Sequence, residues 1–406
     1  MDRQHSFITA IEYSNIIKIK RNRQADLLRH LQLKTTSSHQ SKTMETLTEK
    51  KSFNTTKAES FAGSLLGTLN KSSLALMTSI GHRSGLFDVM AGMDFATSPE
   101  IAAQSGLNER YVREWLGAMV TGEVIEYAHE TKSYHMPAEH AAYLTRKAGA
   151  DNIAVFMQYV AVLGEVEDDI LECFKNGGGV PYSKFHRFHD VMAEDSGQSV
   201  LFSLESHILP LVPGLTAKLQ TGIKVLDVGC GEGRIINKLA ALFPDSHFTG
   251  MDLSDEAISK ANDEAATKGL KNVEFIIRDL SDFHQSAPVE KFDFITTFDA
   301  IHDQGKPLNV LKGIYRALKP DGIYLMQDIS GTGRLEEDVK HPIGTFLYTV
   351  SCMHCMTVSL AQDGEGLGAM WGEIKTREYL NKAGFSSVKT NKLAHDIQNN
   401  WYVVTK

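Results

Sequence analysis

Apolar positions change their period along the chain, and the change divides it in two. Ala58, Phe61, Ala62, Leu65, Leu66 and Leu69 recur every three or four residues, the mark of an amphipathic helix. A second apolar stretch runs from Leu74 to Met90 through Ile80, Leu86 and Phe87. Thr97-Ser-Pro-Glu predicts a helix start, with Ser98 as N-cap and Pro99 at the first helical position. After Gly106, Tyr111, Val112, Trp115, Leu116, Met119 and Val120 make one helical stripe. Val124–Tyr127 and Ser133–Met136 flank a polar turn and predict a hairpin. Helices followed by a hairpin are the order of a winged helix. Apolar helical pieces at 153–163 and 200–211 follow, on either side of a Gly177-Gly-Gly179 break. Beyond residue 221 short β-branched runs alternate with helical stripes, the pattern of an α/β fold with a parallel sheet. The runs are Val225–Val228, His247–Leu253, Val273–Asp279, Phe292–Phe298, Ile323–Asp328, Ser387–Leu393 and Trp401–Thr405.

The first of these runs leads into the chain's most informative stretch, Lys224-Val-Leu-Asp-Val-Gly-Cys-Gly-Glu-Gly-Arg234. Strand, glycine loop and helix follow at once, so a ligand there lies against bare peptide at a helix N-terminus. A dinucleotide fingerprint is G-x-G-x-x-G. Here the third glycine comes one residue early and Arg234 holds the dinucleotide position. Asp-x-Gly-x-Gly-x-Gly, from Asp227 to Gly233, resembles motif I of the class I S-adenosylmethionine (SAM)-dependent methyltransferases. The second strand ends in Asp252, about 20 residues on, where α/β folds grip ribose hydroxyls. The third ends in Asp279, and Leu-Lys-Pro-Asp-Gly precedes the fifth, both as in that family.

The resemblance covers about residues 200 to 406 and implies a Rossmann-like, seven-stranded methyltransferase sheet. It implies SAM as cofactor. Gly229, Gly231 and Gly233 would hold the methionine moiety, with Asp227 supporting the loop and the ammonium. Asp252, with Leu253 beside it, would take the ribose, and Asp279 and Leu280 the adenine. Phe298 and Asp299, just past the fourth strand, would face the reacting end. His302 is then the candidate base, oriented by Asp303 or Asp328. From about residue 57 the chain resembles a two-domain subgroup with an N-terminal, mainly helical winged-helix-type domain. That likeness implies a homodimer joined through the N-terminal domain and a small-molecule methyl acceptor, with small thiols among the subgroup's substrates. A thiol needs little help from a base, since its pKa lies near 8.5. The expected domains are a disordered tail (1–55), the winged-helix-like domain (56–145), a helical linker or lid (146–220) and the methyltransferase domain (221–406).

The segment from residue 329 to about 385 is too long for a plain link between helix and strand. It leaves a strand's carboxyl end, so it is expected to cover the acceptor pocket. His354 within it is a second candidate for the acceptor site, beside Trp371. Cys352-Met-His-Cys355 lacks the further ligands a zinc site needs, and His186 and His189 lack them too, so no metal is expected. With Tyr182, Phe185 and Phe188, those histidines make either an aromatic lid or a packed linker helix.

Composition narrows the remaining choices. The net charge is −8, and Glu109 and Glu114 offset Arg110 and Arg113 on the helix that would enter a groove. Nucleic-acid binding is therefore disfavoured. A winged-helix regulator that takes SAM as an effector is the alternative. Four cysteines are too few for a disulfide scaffold and point to a reducing, cytoplasmic compartment. No apolar run is long enough to span a membrane. Met44 is an alternative translation start.

Overall fold

The computed structural model describes residues 53–406. The Met44 start and nearly all of the expected tail lie outside the described residues. Helix α1 (Thr55–Ser84) covers the first apolar stretch and the start of the second in one run, and breaks at Gly85 before Leu86. The short helix Leu86–Met90, strand β1 (Ala96–Thr97), α2 (Ser98–Ser105), α3 (Glu109–Thr121) and the hairpin β2 (Glu126–Ala128) and β3 (Ser133–His135) follow. The three strands form a small sheet in the order β1-β3-β2. Their shared core holds Phe87, Ile101, Val112, Trp115, Leu116 and Met119. Trp115 donates its indole N–H to the Met77 carbonyl at 2.8 Å, which pins α3 to α1.

Three local expectations shift here. The cap of α2 is Thr97, one residue earlier than expected. Glu100 reaches back to the Thr97 N–H and hydroxyl at 2.8 and 2.7 Å, which frees the Ser98 hydroxyl to donate to Glu109 of α3. Tyr111 falls off the buried stripe and is 80% exposed. Phe61, Leu65, Leu66 and Leu69 form their helical stripe, but among the described residues nothing covers it and all four are exposed.

The second sheet has seven strands: β4 (Lys224–Val228), β5 (His247–Asp252), β6 (Val273–Ile277), β7 (Phe292–Phe298), β8 (Leu318–Ile329), β9 (Ser387–Asn391) and β10 (Asn399–Thr405). Their order is β6-β5-β4-β7-β8-β10-β9. The pairs from β6 to β8 are parallel, whereas β10 runs antiparallel to both β8 and β9. The seven strands expected from sequence are all present, parallel from β6 to β8 and antiparallel where β10 enters. The link 392–398 is too short for the crossover that parallel pairing requires. Lys319-Pro-Asp-Gly322 bulges from the ladder, because Phe292 pairs with Leu318 and Phe294 with Ile323.

Alternate residues of the central strands serve opposite faces. Leu226, Ile295 and Tyr324 pack with Leu311 and Ile314 of α7 (Pro307–Ala317). Val225, Phe294 and Leu325 pack with Ile236 and Leu239 of α5 (Arg234–Leu242). Between these helices in sequence lies α6 (Asp255–Thr267), capped by Ser254 as expected. Chain crossovers leave β4 toward β5 on one side and β7 on the other, which opens a crevice at the strands' carboxyl ends. Before the sheet, α4 (Phe188–Ser196) runs into two π-type turns, Gly197–Leu201 and Leu204–Ile208. After β8 the long insert holds α8 (Gly344–Val350), the π-type turn Ser351–Cys355, α9 (Met356–Ala361) and α10 (Gly372–Ala383). Among the described residues no helix is long and apolar enough to cross a membrane.

Candidate active site

The glycine loop turns where β4 ends. A Cβ on Gly229 would stand 2.5 Å from the Cβ of Ala300, and one on Gly233 2.5 Å from the Phe275 ring. Gly231 differs: a Cβ there would meet nothing within 4 Å, so this peptide faces open space. The loop's N–H groups are largely spent. Those of Gly229 and Cys230 donate to the Met251 carbonyl, that of Gly233 to the Cys230 carbonyl, and that of Gly231 to Asp252 Oδ2 at 2.9 Å. Asp252 Oδ1 accepts from the Ser254 N–H at 2.9 Å. Each oxygen of Asp252 keeps a lone pair for ligand hydroxyls.

Asp227 is buried and accepts from the Thr296 hydroxyl at 2.7 Å. Burial pushes its carboxyl up to about 7, against the pull of that hydrogen bond. Asp279 is exposed beyond β6 and accepts from the Ser281 N–H, while Leu280 beside it is buried. The residues expected to hold the cofactor line one cavity of about 660 Å³ together with His302 and His354: Asp227, Gly229, Gly231, Gly233, Asp252, Leu253, Asp279, Leu280 and Phe298. That volume is typical of a small-molecule site. An amino acid joined to a nucleoside fits this end: acids for its hydroxyls and ammonium, apolar Leu253 and Leu280 for its base, and bare peptide at Gly231.

The far end of the cavity is built differently. His302 is buried, and its Nδ1 lies 2.8 Å from Asp328 Oδ1. The same oxygen accepts from the Trp371 indole at 3.1 Å and the Ile329 N–H at 2.8 Å. Burial favours the neutral His302 ring, but Asp328 and Cys355 outweigh it and hold the ring well above the ordinary imidazole range. Of the two carboxylates expected to orient His302, Asp328 does so. Asp303 lines the cavity, with its carboxyl pushed up to about 6 by burial against the charge of His302. Trp371 lies behind the site and not in its wall.

His354 sits in the π-type turn, buried, its ring stacked on Phe188 at 3.5 Å between centroids and 7° between planes. Tyr182 and Phe185 meet it edge-on. Neither ring nitrogen has a hydrogen-bond partner among the described residues. Burial, then the nearby His302 and His189, holds its pKa well below the usual value. His186 and His189 both line the cavity, although α4 begins only at Phe188, so they do not share a helix face. His189 stacks on Tyr182 with centroids 4.5 Å apart.

Sequence reasoning missed Tyr159, Phe346 and Asp195. Tyr159 meets Phe188 and Phe346 edge-on and donates its hydroxyl to the buried Asp195 at 2.8 Å. No local pattern marks this group. It also missed that Asp299, His302 and Asp328 bring ligand-type atoms within 4.8 Å of one another.

Two regions of the chain match family models. Residues 72–146 match an Rv2258c-like winged HTH domain, and residues 219–381 match a methyltransferase domain. The ubiquinone biosynthesis O-methyltransferase of Haemophilus ducreyi is 33% identical over 113 residues, 27% of this chain and 47% of that protein. The cycloartenol-C-24-methyltransferase of Arabidopsis thaliana is 27% identical over 210 residues, 51% of this chain and 57% of that protein. The chain thus spans about half the length of the curated relatives it matches. Among solved structures, the mitomycin 7-O-methyltransferase MmcR superposes with a TM-score of 0.62 at 16% identity, over 87% of this chain and 100% of that one. Human N-acetylserotonin methyltransferase, solved with SAM, gives a TM-score of 0.59 at 17% identity, over 88% and 99%. At such identity the likeness establishes the fold alone: a winged-helix-type domain followed by a methyltransferase sheet.

Proposed function

We propose that this chain, a class I SAM-dependent methyltransferase with an N-terminal winged-helix-type domain, methylates a hydroxyl oxygen of a small aromatic molecule. The observation that carries the reading is the buried His302–Asp328 pair, set in the same cavity as the glycine loop and Asp252. Bound SAM supplies an electrophilic methyl group on a positively charged sulfur. The chain's own residues do the rest. Asp252 binds the ribose hydroxyls, Asp227 the ammonium, Leu253, Asp279 and Leu280 the adenine, and Gly231 lets the methionine backbone lie close. Phe298 walls the reacting end. His302 in its neutral form takes the acceptor's hydroxyl proton as the new C–O bond forms and the C–S bond breaks. Asp328 holds the ring in place and stabilises the cation that results. The aromatic wall of Tyr159, Phe188 and Phe346 favours a planar acceptor and keeps water out.

The preference for a thiol came from thiol substrates in the resembled subgroup and from how little base a thiol needs. A buried imidazole–carboxylate pair supports the harder case, a hydroxyl, and the O-methyltransferase names among the relatives point the same way. On this reading 56–145 is the pairing domain, 146–220 the aromatic wall and 221–406 the methyl-transfer domain. The exposed stripe Phe61, Leu65, Leu66 and Leu69 supports a homodimer, and sedimentation of a Leu65→Glu variant tests it, with a shift to monomer expected. The regulator reading is disfavoured. On α3, Arg110 pairs with Glu114 and Arg113 with Glu109, which leaves no excess positive charge for phosphates.

The test incubates purified protein with SAM and separate pools of phenols, thiols and amines, and follows S-adenosylhomocysteine (SAH) by mass spectrometry. Release with phenols is expected. Release with thiols alone would replace the hydroxyl reading, and no release from any pool would contradict an enzymatic role.

A further inference from the structure

Three side chains at the acceptor end converge more closely than proton transfer requires. Asp299, His302 and Asp328 each offer an oxygen or ring nitrogen, all within 4.8 Å of one another. Each carboxylate has one committed oxygen and one free. Asp328 Oδ1 takes three donors, His302, Trp371 and the Ile329 N–H, while its Oδ2 is buried without a partner among the described residues. Asp299 Oδ2 accepts from the Gln327 side chain at 2.9 Å, while its Oδ1 is likewise buried and unpartnered. The Asp299 backbone is held at φ +49°, rare outside glycine, with its N–H on the Gln327 carbonyl at 3.1 Å. A buried carboxylate oxygen with no donor is costly, and a cation relieves that cost. Donors fixed on the other oxygens are how proteins orient carboxylate ligands around a metal.

We infer that Asp299, His302 and Asp328 form a binding site for a divalent transition-metal cation of the zinc type, and that its occupancy removes His302 from proton transfer. One imidazole and two carboxylates suit zinc and its neighbours, whereas magnesium and calcium prefer oxygen alone. Metal–ligand bonds of about 2.0–2.2 Å put tetrahedral ligand atoms about 3.4 Å apart, so closure takes a side-chain shift of about an ångström. The ligands come from the tips of two neighbouring strands, β7 and β8, which is why no short spacing motif announces them. Binding stands on this geometry alone; the effect on turnover rests on the proposed role of His302.

The test titrates Zn²⁺ into the SAH-saturated protein against a chromogenic chelator and follows turnover over the same range of free Zn²⁺. One ion per chain is expected, bound about ten- to a hundredfold more weakly in Asp299→Asn and in His302→Gln. Turnover should fall with the same midpoint. Circular dichroism checks that the near-isosteric Asp299→Asn folds. No saturable uptake, or equal affinity in Asp299→Asn, would overturn the site. Uptake here with unchanged or higher turnover would overturn the blocking, and the base role of His302 with it. Failure of the cation site alone leaves the methyl-transfer reading intact if His302→Gln still abolishes turnover.

Discussion

The two ends of the cavity are made in different ways. The cofactor end is backbone and strand tips: a glycine loop with its N–H groups spent on Met251, Cys230 and Asp252, and acids just past neighbouring parallel strands. The acceptor end is side chains from distant segments: Tyr159, Phe188, His302 and Phe346, with His354 in a π-type turn. One end is assembled by contiguous sequence and topology, the other by long-range packing. A fixed cofactor can be served by a fixed loop. An acceptor pocket built from separable parts can change substrate without disturbing the sheet.

This contrast predicts that mutations sort by end. Asp252→Ala should weaken SAH binding about a hundredfold, since it removes both ligand contacts and the clamp on Gly231, with the fold retained by circular dichroism. Unchanged calorimetric affinity would mean that the cofactor end is misassigned. Asp328→Asn should lower kcat/KM about tenfold to a hundredfold while SAH affinity stays the same. The pH–rate profile sharpens this. Asp328 and Cys355 outweigh burial to raise the His302 pKa, so kcat/KM should climb with pH through an ionisation above the ordinary imidazole value. In Asp328→Asn that rising limb should move to lower pH, because the charge that stabilises the imidazolium is gone. The smallest effect expected is from His354→Phe: a rise in acceptor KM of about tenfold or less, with SAH affinity unchanged. A change in SAH affinity there would show that the two ends are coupled.

Legibility from sequence follows the same division. The glycine spacing, Asp252 and the strand runs were readable because each is a local device with a fixed period. His302 was singled out because it lies just beyond β7, and His354 because the insert had to go somewhere near the strand ends; both line the cavity. Tyr159 and Asp195 were not readable: neither carries meaning until α4 packs over the crevice. The direction of β10 depended on the short 392–398 link, and the cap of α2 on Glu100 choosing Thr97 over Ser98. The stripe at Phe61 and Leu65 showed its helix correctly, but periodicity does not say whether the face is covered within the chain.

The most direct measurement compares His302→Gln with the unaltered protein in single-turnover methyl transfer to a phenolic acceptor, with SAH affinity measured on the same samples. A transfer rate lower by about a hundredfold or more, at unchanged SAH affinity, is predicted. Equal rates in the two proteins would contradict the account.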